Sequence, residues 1–273
     1  MSGRLVVLGS CGAWPEPGRA CSGFLLEEKG FRVVLDLGYG TLPRLLELLG
    51  SVVGDGIDAV VITHRHPDHM IDLHGLFRAR WFGRRGAPSI PLYSPPGVLE
   101  RLATLEEGDA EAVRQVFDWR ETPSGRIALG PLHLETWALP HFVPNVGVRL
   151  SCPDFTLAYT GDTGLDPTLA DLGRDADLYI VEATSRDQQP DTPPSPTAKP
   201  LLLSAREAGR AATAAGAHRL MLTHFWPGND REQSRAEAAA EFGGEILLAA
   251  EGLVVPLGTQ PRADPPRPAH FPR

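Results

Sequence analysis

The stretch that most constrains this chain is residues 60–69, VVITHRHPDH. Three consecutive apolar residues, Val60, Val61 and Ile62, read as a buried strand. The strand runs directly into His64, His66, Asp68 and His69, all side chains able to ligate a metal. His64, His66 and Asp68 follow an i, i+2, i+4 spacing. On a helix, residues i and i+2 point roughly 200° apart, so one helix cannot aim all three at a common centre. Pro67 also disfavours a helical conformation for His66. The expectation is an irregular loop on the end of a rigid strand, folded around a cation. The bland alternative, a solvated loop with capping Asp and His, suits scattered histidines better than a run this dense.

The rest of the chain alternates apolar runs with breakers. Strand patterns cover residues 5–8, 24–26, 31–35, 90–93, 146–150, 156–159, 178–181, 220–223, 246–249 and 253–257. A strand pair covers 127–138, broken at Gly130-Pro131. Helical patterns cover 41–49, 70–82, 96–105, 204–216 and 231–242. Thr41 is placed to cap the first helix and Gly50 to stop it. Ser204 and Glu207 have capping-box spacing. Residues 106–125 carry no decisive pattern. Antiparallel strand groups come first and then alternate with helices, twice over, which suggests two packed sheets with helices outside. The pattern by itself gives a layered α/β or α+β chain.

With 273 residues, 42% of them hydrophobic, the chain can bury a sizeable core. The reading is a single domain over residues 1–258, with a Pro-rich C-terminal tail at 259–273 expected to be disordered. Residues 186–200 are rich in proline and poor in apolar residues, and read as a loop or flap. A formal net charge of −8 disfavours broad nucleic-acid binding. Cys11, Cys21 and Cys152 form no framework spacing, which points to a reducing, cytoplasmic setting. Neither a secretory h-region nor an apolar run long enough to span a membrane is visible.

HRHPDH resembles the HxHxDH signature of the metallo-β-lactamase-fold hydrolases, and the later ligand positions of that family have counterparts here in order. Taken alone, His141 in LPHFVPNVGVRL reads as a loop histidine between prolines. Asp162 in AYTGDTG reads as an Asx-turn residue, and His224 in LMLTHFWPG as a satisfied strand-end histidine. The resemblance makes all three metal ligands. It assigns His64, His66 and His141 to one divalent ion and Asp68, His69 and His224 to a second, with Asp162 bridging. It further implies an αββα four-layer sandwich, two ions (zinc, with manganese or iron as alternatives), and a metal-bridging hydroxide as nucleophile with Asp68 orienting it.

Within that family the segments YTGDT (159–163), VEAT (181–184) and SAREAG (204–209) followed by Thr223-His224-Phe225 look like the ribonuclease Z and atypical cyclic-nucleotide phosphodiesterase branch. Two departures matter. The Gly-rich arm with which ribonuclease Z grips tRNA has no counterpart between His141 and Asp162, nor later. Leu202 also stands where relatives place a histidine that assists the leaving group, and Val181 stands at another position often held by histidine. The leading expectation is a dinuclear metal-dependent hydrolase of a small anionic phosphodiester such as a cyclic nucleotide. A ribonuclease Z-like tRNA 3′-processing endonuclease, with RNA as partner, is second. A non-catalytic metal- or ligand-binding member of the fold is third. Relatives are often homodimers, but no apolar stripe in the sequence demands one.

Overall fold

The computed structural model describes residues 3–184 and 201–258. The 186–200 segment and the 259–273 tail therefore lie outside the described residues.

The chain opens with β1 (Arg4–Gly9), β2 (Gly23–Glu28) and β3 (Phe31–Leu37), followed by α1 (Thr41–Leu49) and β4 (Ala59–Val61). Next come α2 (Pro67–Met70), α3 (Asp72–Gly83), β5 (Ile90–Ser94), α4 (Val98–Leu105), α5 (Ala110–Val116) and β6 (Phe117–Glu121). The second half contains β7 (Ile127–Leu129), β8 (Leu132–Leu139), β9 (Asn145–Ser151), β10 (Thr156–Tyr159), α6 (Thr168–Leu172) and β11 (Leu178–Glu182). It closes with α7 (Ala205–Ala215), β12 (Arg219–Thr223), α8 (Arg231–Ala239), β13 (Glu245–Leu248) and β14 (Val254–Pro256).

These strands form two seven-stranded sheets, ordered β14-β1-β2-β3-β4-β5-β6 and β13-β12-β11-β10-β9-β8-β7. The sheets share one plan. The β14, β1, β2 and β3 strands pair antiparallel, and β4, β5 and β6 continue from β3 in parallel. In the other sheet β7 to β10 pair antiparallel, and β11 to β13 continue in parallel. Parallel neighbours need crossovers, and helices supply them.

Alternation along the strands sorts the core into layers. Leu5, Val7, Phe24, Leu35 and Val61 face Leu134, Val148, Leu157, Tyr159 and Ile180 between the sheets. Val6, Leu8, Leu25, Val34 and Val60 point the other way, onto Leu45, Leu73, Leu76, Phe77 and Leu102 of the first helical layer. Tyr179, Val181, Leu220 and Leu222 pack on Leu172, Ala208, Ala212 and Ala238 of the second helical layer. Each fully buried Leu, Val or Phe side chain contributes about 1.5–3 kcal/mol from burial. The result is the expected αββα sandwich. Among the described residues, no helix is long and apolar enough to cross a membrane.

Local differences from the sequence reading have physical causes. The expected irregular loop stops at His66, where Pro67 opens a helical turn. His66 remains extended (φ −70°, ψ 145°) as the N-cap of α2, with proline in its first turn. The HRHPDH segment is thus half irregular and half a single helical turn. Thr41 is not the cap of α1 either: Gly40 holds that place. The Thr41 hydroxyl donates to the Gly38 carbonyl (2.7 Å), and Asp72 accepts from the Leu42 amide (2.8 Å). Residues 106–125 contain α5 and the edge strand β6, and α6 is too short for periodicity to reveal. The Ser204–Glu207 capping box is present as read.

Candidate functional site

Each of the seven sequence-selected residues sits where an element ends. His64 and His66 follow β4, and Asp68 and His69 lie on α2. His141 follows β8, Asp162 follows β10 and His224 follows β12. The two sheets therefore deliver their ligand-type side chains to one end of the sandwich. Two overlapping groups result: His64, His66, His141 and Asp162, and Asp68, His69, Asp162 and His224, the donor atoms of each group lying within 4.8 Å of one another. Asp162 belongs to both.

The contacts inside the cluster are short. His64 Nε2 and His141 Nε2 lie 3.0 and 3.1 Å from His66 Nδ1. His224 Nε2 is 3.2 Å from both Asp68 Oδ2 and Asp162 Oδ2. His69 Nε2 and Asp162 Oδ1 face each other at 3.2 Å, yet both are buried without a hydrogen bond. Ring nitrogens converging on one another, beside orphaned buried acceptors, suit cations rather than a self-contained hydrogen-bond network.

The opposite ring nitrogens are anchored. His69 Nδ1 donates to Asp36 Oδ2 at 2.7 Å. Thr63 Oγ1 lies 3.0 Å from His64 Nδ1 and donates to Asp36 at 2.9 Å. Thr184 Oγ1 lies 2.8 Å from His224 Nδ1 and donates to Glu182 Oε2 at 2.6 Å. The Leu201 carbonyl accepts from His141 Nδ1 at 3.1 Å. Fixing the far nitrogen sets tautomer and ring orientation, which is how proteins prepare imidazole for a metal.

Asp36 is the hub of this support. It is fully buried, and it also accepts from the Thr63 amide (2.8 Å) and the Tyr159 hydroxyl (2.8 Å). Its backbone is left-handed at φ 54°, as is that of His224 at φ 56°. Non-glycine residues in that region cost about 1–3 kcal/mol and persist where the surroundings over-determine them. Gly38 allows the same strand end to reach the ligand helix, because a Cβ there would lie 1.9 Å from the Asp68 carbonyl oxygen.

Electrostatics divide the imidazoles. Burial, reinforced by the charge of His69, drives His64 well below its ordinary range, so it stays neutral. Burial and the neighbouring His141 lower His66, and burial lowers His141. Burial disfavours charge on His69 too, but Asp162, Asp36 and Asp68 together raise it well above its usual value. Asp162 and Asp68 do the same for His224 against its burial. Both carboxylates are held low: Asp68, against burial, by His69 and His224, and Asp162, against burial, chiefly by His224 and His69. Behind them, burial and the Asp162 charge push Glu182 up to about 8. The cluster demands positive charge at its centre, the demand a divalent cation meets.

Sequence reasoning did not assign roles to Asp36, Thr63, Glu182, Thr184 or the Leu201 carbonyl. The available signals were Asp36 at a strand end, Thr63 beside His64, and the VEAT run. Leu202 and Val181 are as non-polar as read, and Val181 is fully buried. Two other side chains could in principle stand in for the histidine missing at Leu202: His74, which packs from α3 onto Glu106 at 2.5 Å, and Lys199, which lies outside the described residues.

This fold and cluster define a metal-dependent hydrolase that binds divalent metal. The chain belongs to the β-lactamase superfamily domain family, whose model matches residues 21–225. An uncharacterized protein of Mycobacterium leprae is 35% identical over 258 residues, covering 91% of this chain and 87% of its own. The ribonuclease Z of Kineococcus radiotolerans is 30% identical over 305 residues, with 93% of this chain and 95% of the relative covered. The probable metallo-hydrolase YhfI of Bacillus subtilis is 28% identical over 255 residues, covering 92% and 98%. The crystal structure of YhfI superimposes with a TM-score of 0.78 at 25% identity, covering 93% of this chain and all of that one.

Proposed function

We propose that this protein hydrolyses a small phosphodiester, such as a cyclic nucleotide, at a dinuclear metal centre. His64, His66 and His141 hold one ion, Asp68, His69 and His224 hold the other, and Asp162 is shared. The observation that carries the reading is the pair of overlapping donor groups meeting at Asp162. Zinc suits this imidazole-rich, thiolate-free set, with manganese and iron as alternatives.

Bound divalent ions supply Lewis acidity, lowering the pKa of a water and neutralising charge on phosphoryl oxygens. The chain's own residues do the rest. Asp68 orients the attacking water, its Oδ2 held by the Ala13 amide at 2.8 Å. The Asp36, Thr63, Thr184 and Leu201 contacts keep the ring nitrogens from reorienting, so the geometry is prepaid before substrate arrives. Leu202 offers no proton to the leaving oxygen. A positioned general acid is worth about 10²- to 10⁴-fold, so hydrolysis of a cyclic nucleotide, which expels a sugar alkoxide, proceeds here without that gain from position 202.

Three observations support a small substrate over tRNA. The alignment with ribonuclease Z runs over 305 positions, more than the 273 residues of this chain, so that relative carries residues this chain lacks. Only a short turn joins β9 to β10, and the chain has a net charge of −8. The test is turnover of 2′,3′- and 3′,5′-cyclic nucleotides with metal content measured on the same sample. Two metals per chain, with turnover abolished in Asp162→Ala, is the expected result. Two metals without turnover of any phosphodiester overturns the reading and leaves a different hydrolase substrate.

A further inference from the structure

Large apolar side chains are exposed where the ligand-bearing loops end. Trp14 is 47% exposed, Phe142 65% and Leu165 59%. Phe142 follows His141 directly, with its ring centroid 5.2 Å from the imidazole. Leu165 is three residues beyond Asp162, and Trp226 two beyond His224. Single apolar residues scattered over a surface need no explanation. Those that border a buried polar cluster, as Phe142 and the loop of Trp14 do, suit contact with a ligand.

Trp14 is the most tightly specified of these. It follows Ala13, whose backbone sits at φ 58° and whose amide is committed to Asp68. The preceding Gly12 donates its amide to the Phe225 carbonyl at 2.8 Å and lies so close that a Cβ would be 2.6 Å from His224 Cε1. The indole meets Trp226 edge to face, centroids 4.9 Å apart at 81°. Glu16 clips the two loops together: it accepts from the Gly228 amide at 2.8 Å and pairs with Arg231 at 3.5 Å. Arg231 in turn lies 4.5 Å over the Phe225 ring. A half-exposed tryptophan held by strained backbone and braced by a second one is not explained by core packing.

We propose that Trp14, backed by Trp226, is the platform on which the base of a nucleoside phosphodiester stacks while its phosphate occupies the His/Asp cluster. This rests on the phosphodiesterase reading and names the substrate class and a specificity-determining residue for it. An indole offers the largest π-face among side chains, and base stacking on it tolerates any base. Specificity then follows stacking area, with purines favoured over pyrimidines. In an acidic chain, such a platform supplies the affinity that overall charge does not.

The test compares adenosine 5′-monophosphate with ribose 5-phosphate by calorimetry on the metal-loaded protein, so that only the base differs. Wild type is expected to favour the nucleotide by about 5- to 150-fold. That preference is expected to vanish in Trp14→Ala and largely survive in Trp14→Phe, with metal content unchanged in both. Steady-state assays should show KM for cyclic nucleotides rising in Trp14→Ala far more than KM for 1,3-propanediol cyclic phosphate, which has no base. Equal binding of the two probes to wild type overturns the proposal. So does a preference that survives Trp14→Ala, or an equal loss for both probes. A changed sedimentation coefficient in Trp14→Ala with unchanged nucleotide preference assigns the patch to a second copy of the chain and overturns it too. If wild type hydrolyses no phosphodiester but the preference depends on Trp14, the platform stands and the phosphodiesterase reading fails. Turnover of cyclic nucleotides with a preference indifferent to Trp14 has the opposite meaning.

Discussion

Asp36 and His69 meet at 2.7 Å in the fully buried base of the site, although they belong to different strand-end segments 33 positions apart. The carboxylate accepts the hydrogen bond from Nδ1 and leaves Nε2 directed at Asp162. Asp36→Asn should keep the shape while weakening this hold. We expect about 10- to 100-fold lower metal affinity, measured by chelator competition, with circular dichroism unchanged. Unaltered metal affinity would remove Asp36 from the support of the site.

Thr184 supports the other side. In Thr184→Val, His224 Nδ1 loses its partner and Glu182 Oε2 loses a donor. The set containing Asp68, His69 and His224 should then release its ion first. Metal titration should show one of two equivalents weakened by tenfold or more, with the other nearly unaffected. Simultaneous loss of both equivalents would argue against separable donor sets.

Metal removal should loosen the whole sandwich. A ligand bound only by the folded state stabilises by about 2.7 kcal/mol at a concentration one hundred times its Kd. Dialysis against a strong chelator should therefore lower Tm by several degrees and abolish hydrolysis, and added Zn²⁺ or Mn²⁺ should restore both. Activity that persists in chelated, metal-free protein contradicts the mechanism.

Ser204→Ala serves as the contrasting case. It removes the capping-box hydroxyl at the start of α7, where Ser204 Oγ accepts from the Glu207 amide. The cost should be about 1 kcal/mol, read as a small drop in denaturant midpoint, while metal stoichiometry stays at the wild-type value.

Leu202 is the opening for a gain of function. Leucine next to the carbonyl that anchors His141 supplies no proton. Leu202→His should raise kcat for cyclic nucleotides by about tenfold or more and barely change it for p-nitrophenyl esters, whose leaving group needs no acid. Equal effects on both substrates would place Leu202 outside leaving-group chemistry.

The ligand-type residues were legible because each follows an apolar strand, so strand detection and ligand detection reinforced one another. What supports them was not. Asp36 acts through a left-handed backbone and partners just past β4, on α2 and on β10, none of which a local pattern reveals. A carbonyl such as that of Leu201 has no residue-type signature at all. The α5–β6 stretch escaped because β6 is an edge strand whose Asp118, Arg120 and Glu121 dilute its apolar signal. Its helix did carry a cue, the Asp109 side chain that caps Ala112. Five-residue α6 is held by packing on the sheet rather than by propensity.

Asp68 and His224, 3.2 Å apart in space, are 156 positions apart in the chain. No nascent segment can present both until β12 has been made and docked, and contacts this non-local form late because loop closure precedes their reward. A chain that stops short of β12 cannot assemble the donor set of Asp68, His69, Asp162 and His224, so the complete centre, and the chemistry it supports, is withheld from a half-made copy.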